Sequence, residues 1–170
     1  MLRPRRAPTA VPPRTVAGAV AVVCLLTGCA VVHKGDVQPG DVEKKAHTLV
    51  QQTLTAIRPV AGNAKATVVD QKWTRCSTEE PGQHRFDYSI GVSTTVPAAK
   101  AKAALAAVRA EYKRRGYRID YVPHPDTSVA GSIPKANWFF GVDIRGTTSL
   151  RVDVDSDCVF TRHDPEVKRS

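Results

Sequence analysis

Residues 86–95 read FDYSIGVSTT and contain the clearest β-strand pattern of the chain. Larger or apolar side chains at every second position alternate with Gly or small and acidic polar residues. The first set is Phe86, Tyr88, Ile90, Val92 and Thr94, and the second is Asp87, Ser89, Gly91, Ser93 and Thr95. Such alternation is typical of a strand with one face buried and the other in water. The stretch therefore predicts a sheet that is covered on one side only.

A helical pattern lies on each side of this strand in the sequence. Apolar residues recur at spacings of three and four from Asp41 to Arg58, which predicts an amphipathic helix with Asp41 as its N-cap and Pro59 as its stop. The same spacing follows Pro97, a residue that the first turn of a helix tolerates, and Gly116 is placed to end this second helix. Both helices have an apolar stripe that can cover the sheet.

Four more strands are expected around these elements. They are residues 66–75, 117–122, 138–145 and 150–155. Pro123 to Ala136 holds three Pro, one Gly and two Ser and is predicted to be a 14-residue loop. The order α-β-β-α-β-β-β predicts an α+β domain, with a mainly antiparallel five-stranded sheet and two helices on one face. The alternative fold is a cone-like sheet of the nuclear-transport-factor type.

The last two strands should form a hairpin whose register follows from their faces. Residues that lie directly opposite each other in a hairpin share a face of the sheet. This rule pairs Ile144 with Leu150 and Asp143 with Arg151, across an odd loop around Gly146 to Thr148.

The segment over positions 1–28 has the composition of an export signal. Arginines without any carboxylate precede an apolar run over residues 16–26, and small residues then lead to Cys29. This order is that of a secretory signal peptide. The arginines are Arg3, Arg5, Arg6 and Arg14.

The residues Leu26-Thr27-Gly28-Cys29 at the end of the apolar run resemble the lipobox of bacterial lipoproteins. The resemblance implies cleavage between Gly28 and Cys29 and a diacylglyceryl thioether on Cys29. The alternatives are an uncleaved membrane span over residues 16–32, at the lower edge of the needed length, and ordinary secretion.

The usage of Ala, Val and Arg resembles that of proteins from high-GC Gram-positive bacteria. That resemblance implies a lipid-anchored protein on the extracytoplasmic face of the cell membrane. Residues 1–28 would be the lipoprotein signal peptide, 29–40 a tether, 41–160 the α+β domain and 161–170 a loose tail.

Length and charge narrow the classes of protein that the chain can belong to. A chain of 170 residues is long enough for one domain. The formal net charge is +9, and because the predicted signal peptide contains four Arg and no acid, the remainder of the chain carries +5. Nucleic acid is not an expected partner of an exported protein with this modest charge and no nucleic-acid motif.

The four cysteines are expected to have separate fates. Cys24 leaves with the signal peptide and Cys29 is the lipidation site, so Cys76 and Cys158 remain in an oxidising location. The sequence predicts a disulfide between them, with free thiols or a metal site as alternatives. Neither Cys has a His or Cys at ligand spacing, so no metal and no cofactor are expected.

This disulfide constrains the path of the chain. Strands of about ten residues span about 33 Å, so a simple hairpin after the third strand would put Cys76 and Cys158 at opposite ends of the sheet. We therefore expect the loop from Pro123 to Ala136 to cross from one end of the sheet to the other. The fourth strand would then be parallel to the third.

The sequence gives no clear sign of a metallopeptidase or of an α/β-hydrolase. It contains no His-Glu-x-x-His and no Gly-x-Ser-x-Gly. Asp153, Asp155 and Asp157 alternate as in a calcium loop, but Cys158 stands where such a loop needs Gly. A solvated strand face is therefore the expected role of these acids, with weak calcium binding as the alternative.

These observations favour a lipid-anchored, non-enzymatic binding or accessory module of the cell envelope. The partner is an envelope protein or ligand that the sequence does not identify. The alternatives are an envelope hydrolase with a carboxylate such as Asp87 or Asp143, and an inhibitor or immunity-type protein.

Two surfaces are candidates for binding. Long loops in compact domains are often functional, and the predicted loop has polar residues concentrated at its start. The predicted partner-binding residues are His124, Asp126, Thr127 and Ser128. The second candidate is the basic end of helix two, which could contact anionic lipid headgroups or wall polymers. It contains Lys113, Arg114, Arg115 and Arg118.

Overall fold

The structure is a computed structural model that describes residues 37–62, 65–76, 85–161 and 164–165. These residues form an α+β domain with two α-helices and seven strands. The elements are α1 (Pro39–Ala61), β1 (Ala66–Arg75), β2 (Arg85–Thr95), α2 (Ala101–Arg114), β3 (Arg118–Asp120), β4 (Ser128–Ile133), β5 (Trp138–Arg145), β6 (Ser149–Ser156) and β7 (Val159–Phe160). The predicted signal peptide, Cys29 and the tether as far as residue 36 lie outside the described residues.

The sheet is antiparallel throughout, with strand order β1-β2-β6-β5-β4-β3 and with β7 paired to β2. The prediction of five strands is therefore wrong in number, although the α+β class and the antiparallel sheet are confirmed. The strand predicted from residues 86–95, which is β2, lies between β1 and β6. It contributes Phe86, Tyr88, Ile90 and Val92 to the core, each at most 3% exposed.

Both helices pack on the same face of the sheet. The buried stripe of α1 includes Leu49, Val50 and Ile57, and that of α2 includes Leu105 and Val108. Together with the inward-facing residues of β2, β5 and β6 they form one hydrophobic core. The opposite side, which we call the open face, carries the alternate strand residues.

Helix α1 is longer than predicted at both ends. It begins at Pro39 after Gln38, so Asp41 lies in its first turn and is not the N-cap. It also continues past Pro59 to Ala61, so the prediction that Pro59 stops it is wrong. A Pro removes one backbone hydrogen bond, and near the end of a helix little else is lost. The N–H of Gly62, at φ 77°, then donates to the carbonyl of Arg58 at 2.8 Å.

Helix α2 follows a short 3₁₀ turn, Ala98–Lys100, and its last residue is Arg114, so the predicted stop, Gly116, lies just past its end. Gly116 has φ 73°, and its N–H donates to the carbonyl of Lys113. The next N–H, that of Tyr117, donates to the carbonyl of Tyr112 at 3.0 Å. This pair of bonds is the Schellman motif, in which Gly adopts the left-handed conformation without a steric penalty.

The predicted loop from Pro123 to Ala136 contains a strand, β4, so that prediction is wrong. Strand β4 pairs with β3 on one side and with β5 on the other. Its apolar alternation is interrupted at Gly131, where a Cβ would lie 3.0 Å from the rings of Phe140 and Tyr112. The sequence signal of the strand is weak because these two aromatic rings fill the space that a side chain would occupy.

The disulfide is confirmed, with Cys76 bonded to Cys158 and 6.3 Å between their Cα atoms. Strands β3 and β5 run in the same direction, as the disulfide argument requires. They are not neighbours, however, because β4 lies between them and makes the crossing as a strand. The expectation that a loop makes this crossing is therefore wrong.

The described residues after β7 contact the domain. Thr161 is 3% exposed and forms an isolated parallel bridge with Val37. The carboxylate of Asp164 lies 3.1 Å from Nη2 of Arg75. Among the described residues, no helix has both the length and the apolar character needed to cross a membrane.

Candidate functional site

The chain between β3 and β4 forms a turn that the carbonyl of His124 closes. The backbone N–H groups of Thr127 and Ser128 both donate to this carbonyl, at 3.0 and 2.9 Å. The guanidinium of Arg109 on α2 donates to the carbonyl of Pro125 at 3.0 Å. The turn is thus held to the helix above it, and His124 and Asp126 remain exposed.

Two of the four predicted partner-binding residues make bonds within the domain. The hydroxyl of Ser128 donates to the carboxylate of Asp143 on β5, and the carbonyl of Thr127 accepts from the N–H of Ile144 at 2.8 Å. Both bonds join the turn to the β5–β6 hairpin. The side chains of His124, Asp126 and Thr127 are exposed, and among the described residues those of His124 and Asp126 make no hydrogen bond to the β5–β6 hairpin.

An open groove of about 330 Å³ lies beside this turn. Arg109 from α2, Asp120 at the end of β3, and Tyr121 and Asp126 from the turn supply its polar groups. The remaining lining is apolar and comes from Ile119, Val122, Pro125, Val129 and Ala130. We call this feature the turn groove. It offers apolar contact together with charges of both signs.

Tyr121 at the rim of the turn groove is 90% exposed. The other tyrosines are packed: Tyr88 and Tyr112 are at most 2% exposed, and the hydroxyl of Tyr117 donates to Gln52. Exposed tyrosines are enriched at the centres of protein interfaces, because a rigid ring gives a large contact area at a low entropy cost. Tyr121 is not among the predicted binding residues, because it lies inside the strand predicted over residues 117–122.

The open face of the sheet carries a separate charged cluster around Arg151. The guanidinium of Arg151 pairs with Asp70 on β1 and with Asp153 on its own strand. Hydrogen bonds from Arg151 to Asp153 and then to Asp70 raise the pKa of the arginine. Gly91 lies beneath them, since a Cβ there would lie 2.6 Å from Nη2 of Arg151.

The predicted hairpin register is confirmed, and its side-chain partners are different. Ile144 lies opposite Leu150 and Asp143 opposite Arg151. The side chain of Arg151 nevertheless turns to Asp70 and Asp153. Asp143 instead accepts from Ser128 and from Arg145.

Asp155 lies next to this cluster and has a raised pKa. Partial removal of its carboxyl group from water is the largest cause, followed by repulsion from Asp153, Asp87 and Asp70. A raised pKa is a property of many catalytic acids, but structural charge clusters raise pKa values too. Asp155 is exposed on a strand face.

Ser132 and Lys135 have the Ser-x-x-Lys spacing of one class of serine hydrolases, in which the serine is the nucleophile. Here Ser132 lies on β4 and is 3% exposed, whereas Lys135 lies in the turn that follows and is exposed. A nucleophile must be accessible to its substrate, and this hydroxyl is covered by the core. The spacing therefore provides no catalytic serine.

One group of possible metal ligands occurs among the described residues. Ligand atoms of Cys76, Asp87 and Cys158 lie within 4.8 Å of one another. Both sulfur atoms are consumed in the disulfide, so only the Asp87 carboxylate is free to bind an ion. In the Asp153 to Asp157 run, Asp153 pairs with Arg151, and Asp157 accepts from Asn137 and from the N–H of Cys158.

Comparisons of the chain with models of protein families, with curated proteins and with solved structures gave no match.

Proposed function

We propose that the protein is a lipid-anchored, non-enzymatic binding module on the extracytoplasmic face of the cell membrane. In this proposal Cys29 carries the lipid, and the domain binds an envelope protein or ligand through the turn groove. The exposed ring of Tyr121 beside this groove is the observation that supports the binding role. The residues Leu26 to Cys29 support the anchor.

The geometry of the turn suits recognition because its groups are fixed before a partner arrives. The bonds from Arg109, Thr127 and Ser128 hold the backbone of the turn. A fixed surface loses less conformational entropy when it binds than a flexible loop does. The apolar wall would supply contact area, and Arg109, Asp120 and Asp126 would supply polar selectivity.

The hydrolase alternative receives less support from the geometry. The candidate carboxylates for a hydrolase are Asp87 and Asp143. Asp143 accepts hydrogen bonds from Ser128 and Arg145, and Asp87 lies beside the disulfide. The carboxyl group with the raised pKa is Asp155, which lies exposed on the open face. A binding role therefore accounts for the surface better than a carboxylate-based hydrolase does.

The anchor is tested by intact mass analysis and cell fractionation. The mature protein should begin at Cys29 and carry a lipid-sized mass on this residue, and Cys29→Ala should abolish this mass. Cys24→Ala is the matched control, because it removes a cysteine from the same segment, and its lipid should be unchanged. A Cys29→Ala protein that keeps the wild-type mass and stays in the membrane contradicts the anchor.

The turn groove is tested by a photo-crosslinking amino acid placed at Tyr121 on intact cells. Phe139 is the matched control site, because it is an aromatic residue on the open face with 46% exposure. A defined adduct should form from position 121 but not from position 139, and Asp126→Lys should reduce it. Equal adducts from the two positions would place the binding surface elsewhere. An adduct with one tightly bound protein would favour the inhibitor or immunity-type alternative.

A further inference from the structure

The net positive charge of the chain beyond the signal peptide lies in its helices. Residues 39–61 and 98–115, which we call the helix layer, contain nine basic and three acidic side chains, a net charge of +6. Residues 29–170 as a whole carry +5. The rest of this part of the chain has 12 basic and 13 acidic side chains and sums to −1, so the excess of positive charge lies in the helix layer.

A groove of about 540 Å³ runs along the outer surface of the helix layer. The residues that line it have polar or charged side chains, although their carbon atoms make up most of its surface, and they include Lys44, His47, Thr48 and Gln51 from α1 and Arg115 from the end of α2. Gln52 and Thr55 complete the lining, so no carboxylate is found among the described residues that form it. We call this feature the helix groove.

The hydroxyls of Thr48 and Thr55 donate to backbone carbonyls of α1, so the donors available to a ligand come from the other lining side chains. The amide oxygen of Gln52 accepts from the hydroxyl of Tyr117 at 3.0 Å, which leaves the NH₂ group of Gln52 as the available donor. Lys44 and Arg115 carry donors only. A groove with two cations, further N–H donors and no lining carboxylate is suited to the oxygens of a phosphate.

Arg115 keeps part of its charge free for a ligand. It shares the carboxylate of Glu111 with Arg114, and the hydrogen bond from Arg114, with a further one from Arg115, lowers the pKa of Glu111 to about 2. Two guanidinium groups thus face one carboxylate, and a net positive charge remains at this end of α2. The side chain of Arg115 is 31% exposed.

We propose that the helix groove binds the phosphate headgroups of anionic phospholipids, so that the domain docks with its helix layer on the bilayer. The choice of a bilayer over another polyanion rests on the proposed function, which puts the domain beside a membrane. Cys29 precedes the first residue of α1 by ten residues, and an extended chain of this length spans about 33–36 Å at most. Lys44 is five residues into α1, about 8 Å along the helix axis, and is therefore within reach of the anchor plane.

The test compares the protein with two kinds of vesicle, one of phosphatidylcholine alone and one in which phosphatidylglycerol replaces about a third of it. Lysine modification by an amine-reactive reagent, read by mass spectrometry, reports which face is covered. Anionic vesicles should protect Lys44 and Lys113 several-fold relative to neutral vesicles, and high salt should remove this protection. Lys72 on β1 and Lys135 before β5 are internal controls, and their reactivity should not change.

A charge-matched pair of variants separates the groove from general electrostatics. Lys44→Gln with Arg115→Gln should lose most of the protection of Lys113, since each basic residue at an anionic membrane is worth about a fivefold change in binding. Lys72→Gln with Arg145→Gln removes the same charge from the other face and should bind like the wild type. Equal loss in both pairs would overturn the assignment to the helix groove.

Failure of the anchor and failure of the docking give different results. A protein that floats with both kinds of vesicle but shows no added protection on anionic ones contradicts the docking and leaves the anchor intact. If the protein carries no lipid, the unlipidated protein is added to the same two kinds of vesicle. The docking inference then still requires flotation with the anionic vesicles only. Protection by a soluble polyglycerol phosphate, without protection by anionic vesicles, would overturn the lipid in favour of a polymer.

Discussion

At the scale of single residues, two glycines of the sheet have different roles. Gly131 on β4 lies under the aromatic rings of Phe140 and Tyr112, whose centroids are 4.8 Å apart in an edge-on contact. Gly91 on β2 lies under the ends of the Arg151, Asp70 and Asp153 side chains. Aromatic rings in a packed core cannot move aside, whereas the ends of side chains at the surface can.

We expect Gly131→Ala to destabilise the domain by about 1–3 kcal/mol. The new Cβ would lie 3.0 Å from both rings and 3.1 Å from the carbonyl of Arg118. Gly91→Ala is the matched control, and it should cost less than about 1 kcal/mol because it displaces only surface ion pairs. Denaturant unfolding of both variants measures the difference, and equal costs would contradict the packing argument.

Asp155 gives a prediction with a definite dependence on pH. Because its folded-state pKa is raised, the folded state prefers the protonated acid. The contribution of Asp155 to the free energy of unfolding is therefore complete below the pKa of the unfolded state, about 3.9. It is lost as the pH rises through the pKa of the folded state. At pH 7 the carboxylate is therefore a cost to stability.

Asp155→Asn should raise the melting temperature at pH 7, and the gain should vanish as the pH falls below about 4. The gain should be well under about 1 kcal/mol because the carboxyl group is only partly removed from water and solvent screens its interactions. Asp126→Asn, on the turn and away from the cluster, is the control for the chemical change itself. A gain that persists at low pH would show that charge is not its cause.

At the scale of elements, the disulfide joins the end of β1 to the segment between β6 and β7. It closes a sequence separation of 82 residues that includes α2 and the five strands from β2 to β6. A link over so long a segment reduces the freedom of the unfolded chain more than a short one does. The edge strand β1 is thereby tied to the centre of the sheet.

We expect the double variant Cys76→Ser/Cys158→Ser to lose about 4 kcal/mol of stability in the chain-entropy model. The double change avoids a lone reactive thiol. Chemically reduced wild-type protein should unfold at the same denaturant concentration as the variant. Complete alkylation of both cysteines in native, unreduced protein would contradict the disulfide.

The elements also show which predictions from the sequence could succeed. Strand β2 and the β5–β6 hairpin have full alternation, and the buried face of β2 and the register of the hairpin are confirmed. Strand β4 was missed because Pro123, Pro125 and Pro134 around it indicate a loop, and because Gly131 replaces an apolar residue at its centre. The turn groove could not be predicted, since Arg109 reaches it from a different element.

At the scale of the whole molecule, the domain has a charged open face and a basic helix layer around a single core. The helices are joined to each other by a hydrogen bond of 3.1 Å between the hydroxyl groups of Thr53 and Tyr112. Helix α1 is joined to the sheet by a hydrogen bond of 2.9 Å from the indole N–H of Trp73 on β1 to the carboxylate of Glu43. The core thus reaches from both helices to the edge strand, and the middle of the sheet is its best-protected part.

We expect hydrogen exchange to be slowest at the inner strands β2, β6 and β5, which have a neighbour on each side and buried residues beneath them. The outer edges of β1 and β3 should exchange faster by orders of magnitude. Mass spectrometry of peptides from native protein measures this order. Uniform protection over all strands would indicate that the sheet opens only by global unfolding.

By itself, the sequence determined the features that depend on local periodicity and on local motifs. It identified both helices, the one-sided burial of β2, the hairpin register, Gly116 as a helix end and the pairing of Cys76 with Cys158. Only the tertiary structure decided the place of β4, the side-chain partners of Arg151, the turn groove and the helix groove. The physical reason is that periodicity reports which face of an element is buried, whereas grooves and ion pairs form between elements that are distant in sequence. Their composition is therefore set by packing, which no local pattern contains.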